Sequence, residues 1–258
     1  MIEELKIDSK KITKALIAFI AEGVKTAGYK KAVLGLSGGV DSATTACLLR
    51  EALGKNNVFG IVMPYTALKS EEIKDAEKIS KILGINYEVV SIEPALEGFT
   101  KIFPKVDRIR RGNIIARLRM IVLYDRSKTL KALVLGNSNK SELMLGYGTI
   151  YGDMAYALNP LGKLYKTQVW QLARYLGIPR TILSKPPSAG LWPGQNDEQE
   201  LGLRYKEADT LLYYMVDLRV NDNRLVELGF KQKMILKVRD RIKLSEFKRR
   251  MPLIAEIK

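Results

Sequence analysis

An apolar run, KAVLGL (31–36), passes directly into SGGVDS (37–42) and then into a stretch that reads as helical to Leu53. This junction constrains the fold more than any other part of the chain. A short apolar run bounded by polar residues reads as a buried strand. Consecutive glycines let the backbone take positive φ and approach a ligand closely, and Gly54 supplies the residue that ends the helix. A strand that feeds a helix through a glycine loop is the opening of a βαβ unit, and such units build parallel sheets.

The pattern recurs. NVFGIVM (57–63), NYEVVS (86–91) and KALVLG (131–136) read as further strands. Helices are predicted over 8–28, with Ile12, Leu16, Ile17 and Ile20 as its stripe, and from Ser70 to Leu83, with Ser70 as cap and Glu71–Glu72 in the first turn. Others are predicted over 93–103, 112–128 and 166–179, the last ended before Pro179. Strands alternating with helices predict an α/β fold, a doubly wound, mostly parallel sheet with helices on both faces. Residues 138–165 read as loop-rich, 184–202 as one long Pro/Gly-rich loop of a functional or mobile kind, and the remainder as helices. The 258 residues carry no internal repeat or low-complexity linker.

Composition removes several chemistries. With no histidine, Ser-His triads, histidine metal sites and imidazole acid–base catalysis are excluded. The single cysteine, Cys47, excludes an internal disulfide framework. No Walker-type phosphate loop occurs, nor an apolar run of the ~18 residues that a spanning helix needs. The charged start lacks a signal-peptide core, so a cytoplasmic protein with no membrane partner is expected. The net charge is +15, from 43 basic and 28 acidic residues. Residues 101–131 hold ten of the basic and two of the acidic ones, and the tail from Lys237 is also basic. Neither segment interleaves charge with an aromatic stacking set. Arg110, Arg111, Arg117 and Arg119 read as one cationic helix facing an anion.

In doubly wound sheets, ligands bind beyond the carboxyl ends of the strands. Three of the four strands end there in polar loops, SGGVDS, PYTALKS and NSNKSE. In the first, the following helix offers free N–H groups and its positive dipole end to an anion, and Ser37 and Ser42 add hydroxyls. Asp41 would repel a bare phosphate. It fits if Mg²⁺ lies between, because Mg²⁺ takes one or two carboxylates together with phosphate oxygens. The loop therefore reads as a cradle for Mg²⁺-pyrophosphate, the alternative being a tight turn with an aspartate cap.

The SGGVDS loop resembles that of the PP-loop ATP pyrophosphatases, which split ATP to AMP and pyrophosphate. The resemblance extends through GNIIARLRM (112–120), LVLGNSNKSELMLGYGTIYGDM (133–154), PLGKLYKTQVWQLARYLGIP (160–179) and KPPSAGLWPGQNDEQELG (185–202), which in this order are similar to the NAD synthetases. It implies a Rossmann-like fold of the adenine nucleotide alpha-hydrolase kind, with residues 1–258 as one catalytic domain and no glutaminase domain. The implied activity is ATP-dependent amidation of deamido-NAD by ammonia through an acyl-adenylate, releasing pyrophosphate and AMP.

Residue by residue, the resemblance implies ATP contacts from Gly35, Leu36, Ser37, Gly38, Gly39, Val40, Asp41 and Ser42, with Asp41 and Glu142 on Mg²⁺. Lys166 matches the phosphate-binding lysine and Ser188 a hydroxyl that meets the phosphates. Asn137 matches an ATP contact, and Met63 lies where the family meets adenine, although a core methionine reads equally well. Arg117, Asp153 and Lys248 match the deamido-NAD grip, with Asp153 able to hold ammonium and take its proton. As alternatives, Glu142 could be a helix first-turn acid, Lys166 an exposed helix-start lysine, and Arg119 helix surface.

Four positions depart from the commoner family pattern. Asn137 stands for a threonine, Ile150 for a lysine, Ala157 for an aspartate and Phe247 for a histidine. They leave the ATP half intact and imply a variant grip on the dinucleotide. Only about thirty residues precede the first strand, and Cys47 falls beside Leu48 on an apolar helix face, so free ammonia is the expected donor unless a separate glutaminase subunit docks. A tRNA-thiolating relative would want reactive cysteines and an RNA-binding module, so no nucleic-acid partner is expected. A degenerate, non-catalytic copy would be expected to lose one of Asp41, Glu142, Lys166 and Ser188. The family usually forms homodimers, and Ile114, Ile115, Leu118, Ile121 and Val122 could pack a partner or the chain's own core.

Overall fold

The computed structural model describes residues 3–65 and 71–257. Four strands, β1 (Lys31–Gly35), β2 (Val58–Val62), β3 (Asn86–Val89) and β4 (Ala132–Leu135), form one parallel sheet in the order β3-β2-β1-β4. The chain builds outward from β1 to β3 and returns to lay β4 on the other side of β1. Strand order therefore reverses between β1 and β4, which is where such sheets open a crevice for ligands.

Alternation along β1 feeds two cores. Ala32 and Leu34 pack with residues of α1 (Ser9–Thr26), α2 (Val40–Leu53), α3 (Glu71–Leu83) and α7 (Lys166–Tyr175), whereas Val33 packs with Leu96 of α4 (Glu93–Ile102) and Ile115 of α5 (Arg108–Leu130). Nine residues of α2, from Val40 to Leu49, are buried, so the helix behind the glycine loop is anchored along most of its length. A third apolar cluster joins α6 (Lys140–Leu145), α10 (Tyr205–Leu212), α11 (Asp222–Glu227) and α12 (Gln232–Leu244) around Tyr165 and Tyr205.

The expected doubly wound α/β architecture is observed, with local differences. α5 starts at Arg108 rather than 112, because the Asp107 side chain caps it by accepting from Arg110 N. α7 ends at Tyr175, before Gly177 at φ 76, and the short α8 (Arg180–Leu183) follows Pro179. The stretches read as loops contain α6 and α9 (Asp197–Leu201), capped by Asn139 and Asn196. Asparagine is a turn former and a helix cap alike, and composition reads only the first role. The Ser70 cap and the Glu71–Glu72 side chains lie outside the described residues. Of the α5 apolar set, Ile114, Ile115, Leu118 and Val122 pack into the chain's own core, and Ile121 is exposed. Among the described residues no helix is long and apolar enough to cross a membrane.

Candidate active site

The carboxyl ends of β1, β2 and β4 open into a cavity of about 500 Å³. Its floor is the loop from β1 to α2. Gly38 turns the backbone at φ 76, a conformation an L side chain disfavours. Ser42 Oγ donates to Gly39 O at 3.1 Å and accepts from Ser37 N at 3.3 Å, while Ser37 Oγ accepts from Gly39 N at 3.3 Å. These bonds shape the loop from within. Gly39, the α2 cap residue, makes no side-chain cap bond, which leaves the first turn open to an anion.

Asp41 does not cap the helix. It points across the sheet edge, where Oδ2 is ion-paired with Lys166 Nζ and Oδ1 accepts from Asn139 Nδ2 at 3.1 Å. Glu142 is the first-turn acid of α6 in a reciprocal capping box: Glu142 N donates to Asn139 Oδ1 at 3.0 Å, and Asn139 N donates to Glu142 Oε2 at 3.1 Å. Its other oxygen lies 3.6 Å from Lys166 Nζ. Glu142 is thus the helix first-turn acid of the alternative reading, and it also faces the cavity. Lys166 is not an exposed helix-start lysine, because its side chain is only 3% exposed.

Burial, followed by the like charge of Asp41, pushes the Glu142 carboxyl up to about 8, against the opposing pull of Lys166. Burial acts to lower Lys166, but Asp41 and Glu142 together outweigh it and hold the ammonium above its ordinary range. Burial also raises Asp197, against the attraction of Lys166.

The segment 184–196 closes over this floor. Tyr65 OH donates to Leu191 O at 2.7 Å, and Arg119 donates to Gly190 O at 3.1 Å and to Met63 O at 3.3 Å. Within the segment, Leu191 N donates to Gln195 Oε1 at 2.8 Å and Gly190 N to Ser188 Oγ at 3.1 Å, and Ala189 N donates to Asp197 Oδ1 at the start of the following helix at 3.1 Å. Arg108 stacks over Trp192 at 4.9 Å. The arginines of α5 therefore do not share one anion. Arg119 turns inward to the cavity, whereas Arg117 is exposed and donates to Ile150 O at 3.3 Å.

At the far end, Thr149 N donates to Asp153 Oδ1 at 2.7 Å, and the surrounding wall desolvates and raises that carboxyl. Lys248 Nζ donates to Gly146 O at 2.9 Å and Gly148 O at 2.8 Å. Asn137 Nδ2 donates to Gly35 O at 2.8 Å across the reversal point, leaving Oδ1 buried without a partner. Of the residues singled out in the sequence, Gly35, Leu36, Ser37, Gly39, Asp41, Ser42, Met63, Asn137, Glu142, Asp153, Lys166 and Ser188 line this one cavity. Gly38 and Val40 shape the loop beneath it, and Arg117 and Lys248 lie outside its wall.

Residues 12–252 match the model of the family described as NAD synthase. The chain belongs to the NAD synthase family. The NH(3)-dependent NAD(+) synthetase of Trichlorobacter lovleyi is 49% identical over 253 residues, 98% of this chain and 93% of that one. Among solved structures, the NMN synthetase of Francisella tularensis superimposes with a TM-score of 0.87 at 31% identity, covering 98% of this chain and 100% of that one. The NH3-dependent NAD synthetase of Campylobacter jejuni, in complex with nitrate ion, gives 0.83 at 36% identity, covering 97% and 100%.

Four residues of the site escaped the sequence reading: Gln195 and Asp197 line the cavity, and Tyr65 and Asn139 bond to Leu191 and Asp41, which line it. The N-x-x-E spacing of Asn139 and Glu142 was a readable capping signal. Nothing in the pattern of α5 separates Arg119 from Arg117. A wider surface recess of about 830 Å³ between α11 and α12 contains none of the sequence-derived residues.

Proposed function

We propose that this NAD synthase converts deamido-NAD, ATP and ammonia to NAD⁺, AMP and pyrophosphate. The observation that carries the reading is the convergence of Asp41, Glu142 and Lys166 beside the open first turn of α2. A carboxylate resists attack by ammonia because its leaving group would be oxide. Attack by the nicotinate oxygen on the α-phosphorus of ATP forms a P–O bond and expels pyrophosphate. Ammonia then forms the C–N bond at the acyl carbon, and AMP leaves.

Pyrophosphate departure concentrates negative charge where the α2 amides, Ser37, Ser42 and Lys166 can meet it, and donors fixed in advance are the most effective way to stabilise such charge. The donor set also fits Mg²⁺. Two carboxylates share one lysine, and Glu142 is held high by burial and then by the charge of Asp41, so a divalent ion with phosphate oxygens would suit both. Asp41 and Glu142 would hold it, and when bound it supplies charge neutralisation for the leaving pyrophosphate. Met63 and Asn137 border the nucleoside end and Ser188 reaches from the cover. Asp153, at the opposite end, is placed to hold ammonium and take its proton as the amide forms. Arg117 and Lys248, off the cavity wall, suit the outer part of the dinucleotide.

A homodimer belongs to the same reading. Ile109, Ile121 and Tyr124 on α5, the helix that carries Arg117, and Phe99 and Ile102 of α4 with the adjoining Phe103 are exposed apolar side chains that a second copy would cover.

The fold likeness to an NMN synthetase, with its TM-score of 0.87, favours a second reading in which the acid amidated is the mononucleotide. One assay separates them. Purified protein receives ATP, Mg²⁺ and ammonium with either deamido-NAD or nicotinate mononucleotide, and glutamine replaces ammonium in a parallel set. The proposal requires NAD⁺ from deamido-NAD and ammonium, with little from glutamine. Amide product from the mononucleotide alone would move the assignment to the second reading. ATP cleavage without either product would leave the phosphate site and remove the substrate.

A further inference from the structure

Lys166 is placed unlike a side chain waiting in solvent for a phosphate. Its Nζ is ion-paired with Asp41 and lies 3.6 Å from Glu142 Oε1, and those are the two carboxylates that the proposed function gives to the metal. The lysine side chain is 3% exposed and both carboxylates 17%. The Tyr205 ring lies 5.5 Å from Nζ, and the charge of Asp197 reaches it as well. Its backbone is pinned separately, Lys166 N donating to Ser141 Oγ at 2.9 Å and Thr167 N to Asp209 Oδ2 at 2.8 Å. The helix start is thus fixed, and movement of this cation is confined to its side chain.

We infer that in the nucleotide-free protein Lys166 occupies the cation position between Asp41 and Glu142, so that metal and ATP load together and metal alone does not displace it. The inference rests on the phosphate-and-metal reading of the cavity. Its energetic basis is the asymmetry of buried ion pairs: removing one partner strands the other charge in a poorly solvated place, at a far larger cost than the pair itself returns. A metal entering alone would take both carboxylates and strip the enclosed ammonium of its two ion-pair partners, leaving only the charge of Asp197 to answer it. ATP changes the balance, because phosphate oxygens give Nζ new acceptors and give the metal its remaining ligands. The lysine then passes from the carboxylates to the phosphates as the metal enters. It holds the two ligands together beforehand, keeping a like-charged pair from separating.

Mn²⁺ is the probe, with the electron paramagnetic resonance signal of free Mn²⁺ as the readout and no turnover required. The wild-type protein without nucleotide is expected to bind Mn²⁺ at least about tenfold more weakly than with α,β-methylene-ATP. Lys166→Met, which keeps length and removes charge, is expected to bind Mn²⁺ without nucleotide, and adding Asp41→Asn to it should abolish that binding. Lys166→Arg should retain the need for nucleotide. Equal Mn²⁺ affinity in wild type with and without the analogue overturns the inference while leaving the metal site standing. So does a folded Lys166→Met that still needs nucleotide. Mn²⁺ binding in no protein, analogue present, removes the metal reading itself and the inference with it. Should Lys166→Met fail to fold, the two wild-type arms decide.

Discussion

Asn139 donates through Nδ2 to Asp41 Oδ1 at 3.1 Å, and its own Oδ1 accepts from Glu142 N at 3.0 Å. One fully buried side chain therefore sets the relative position of two carboxylates that are about a hundred residues apart in the chain. Asn139→Ala removes a helix cap and a buried bond together. Stability should fall by about 1–3 kcal/mol, read by urea unfolding. With Asp41 and Glu142 holding Mg²⁺ as proposed, the Mg²⁺ concentration needed for half-maximal activity should rise by about 10–100-fold, the usual effect of removing a partner behind metal ligands. A variant that loses stability with no change in Mg²⁺ dependence would show that Asn139 supports α6 alone.

Asp209 lies behind Lys166, accepting from Ser141 Oγ at 2.5 Å and Thr167 N at 2.8 Å. Burial pushes its carboxyl from 3.8 up to about 6, against those two donors and the charge of Lys166. The folded state thus binds this proton more tightly than the unfolded chain does. The stability linked to it is full below about pH 4 and is lost as pH rises through about 6, a change of about 3 kcal/mol. Asp209→Asn cannot titrate. Wild-type stability relative to this variant should therefore decline by roughly that amount between about pH 4 and 7, in urea unfolding at a series of pH values. The absolute effect of the substitution is separate, since the amide disturbs the Ser141 bond at every pH. A constant difference across the range would mean that Asp209 titrates normally in the fold.

The cover over the cavity depends on few contacts. Tyr65→Phe removes the bond to Leu191 O, and a single neutral hydrogen bond contributes about 0.5–1.5 kcal/mol. That predicts a rise of up to about tenfold in KM for ATP, with far-ultraviolet circular dichroism unchanged. Gly112→Ala tests the same cover by crowding, since a Cβ there would lie 3.0 Å from Trp192 and 3.2 Å from Leu191. Both variants should also be cut faster by protease within 184–196, with ATP slowing the cleavage. Unchanged KM in both would show that the segment closes independently of its tethers.

The sheet was legible because its physics is local. β1, β2 and β4 are short apolar runs between breakers, and the loop after β1 carries its chemistry in six consecutive residues. The resemblance pointed to Asp41, Glu142 and Lys166 as positions and gave no geometry for them; the structure brings the three together. Their mutual ion pairing was not readable, because it joins residues 125 apart in the chain across the sheet edge. The inward turn of Arg119 was equally hidden, being set by where α5 crosses Met63 and Gly190. The capping roles of Asn139 and Asn196 were missed for another reason: an asparagine in a glycine-rich stretch favours a turn until the following residues are weighed as a helix.

Cys47 tests the nitrogen source from within the chain. A cysteine that released ammonia from glutamine would need an accessible thiolate, which low pKa and partial exposure provide. Cys47 has neither. It is 5% exposed in the core with Leu48 and Leu49, and burial, helped by the nearby charge of Glu51, pushes its thiol up to about 11. Native protein should therefore react with a thiol reagent only as fast as it unfolds, and denaturant should release one equivalent. Cys47→Ala should keep ammonium-dependent activity while losing about 1 kcal/mol of stability for the small cavity it leaves. Rapid labelling of the native thiol, together with loss of glutamine-dependent NAD⁺ formation in the variant, would assign this cysteine the amidase role that its burial argues against.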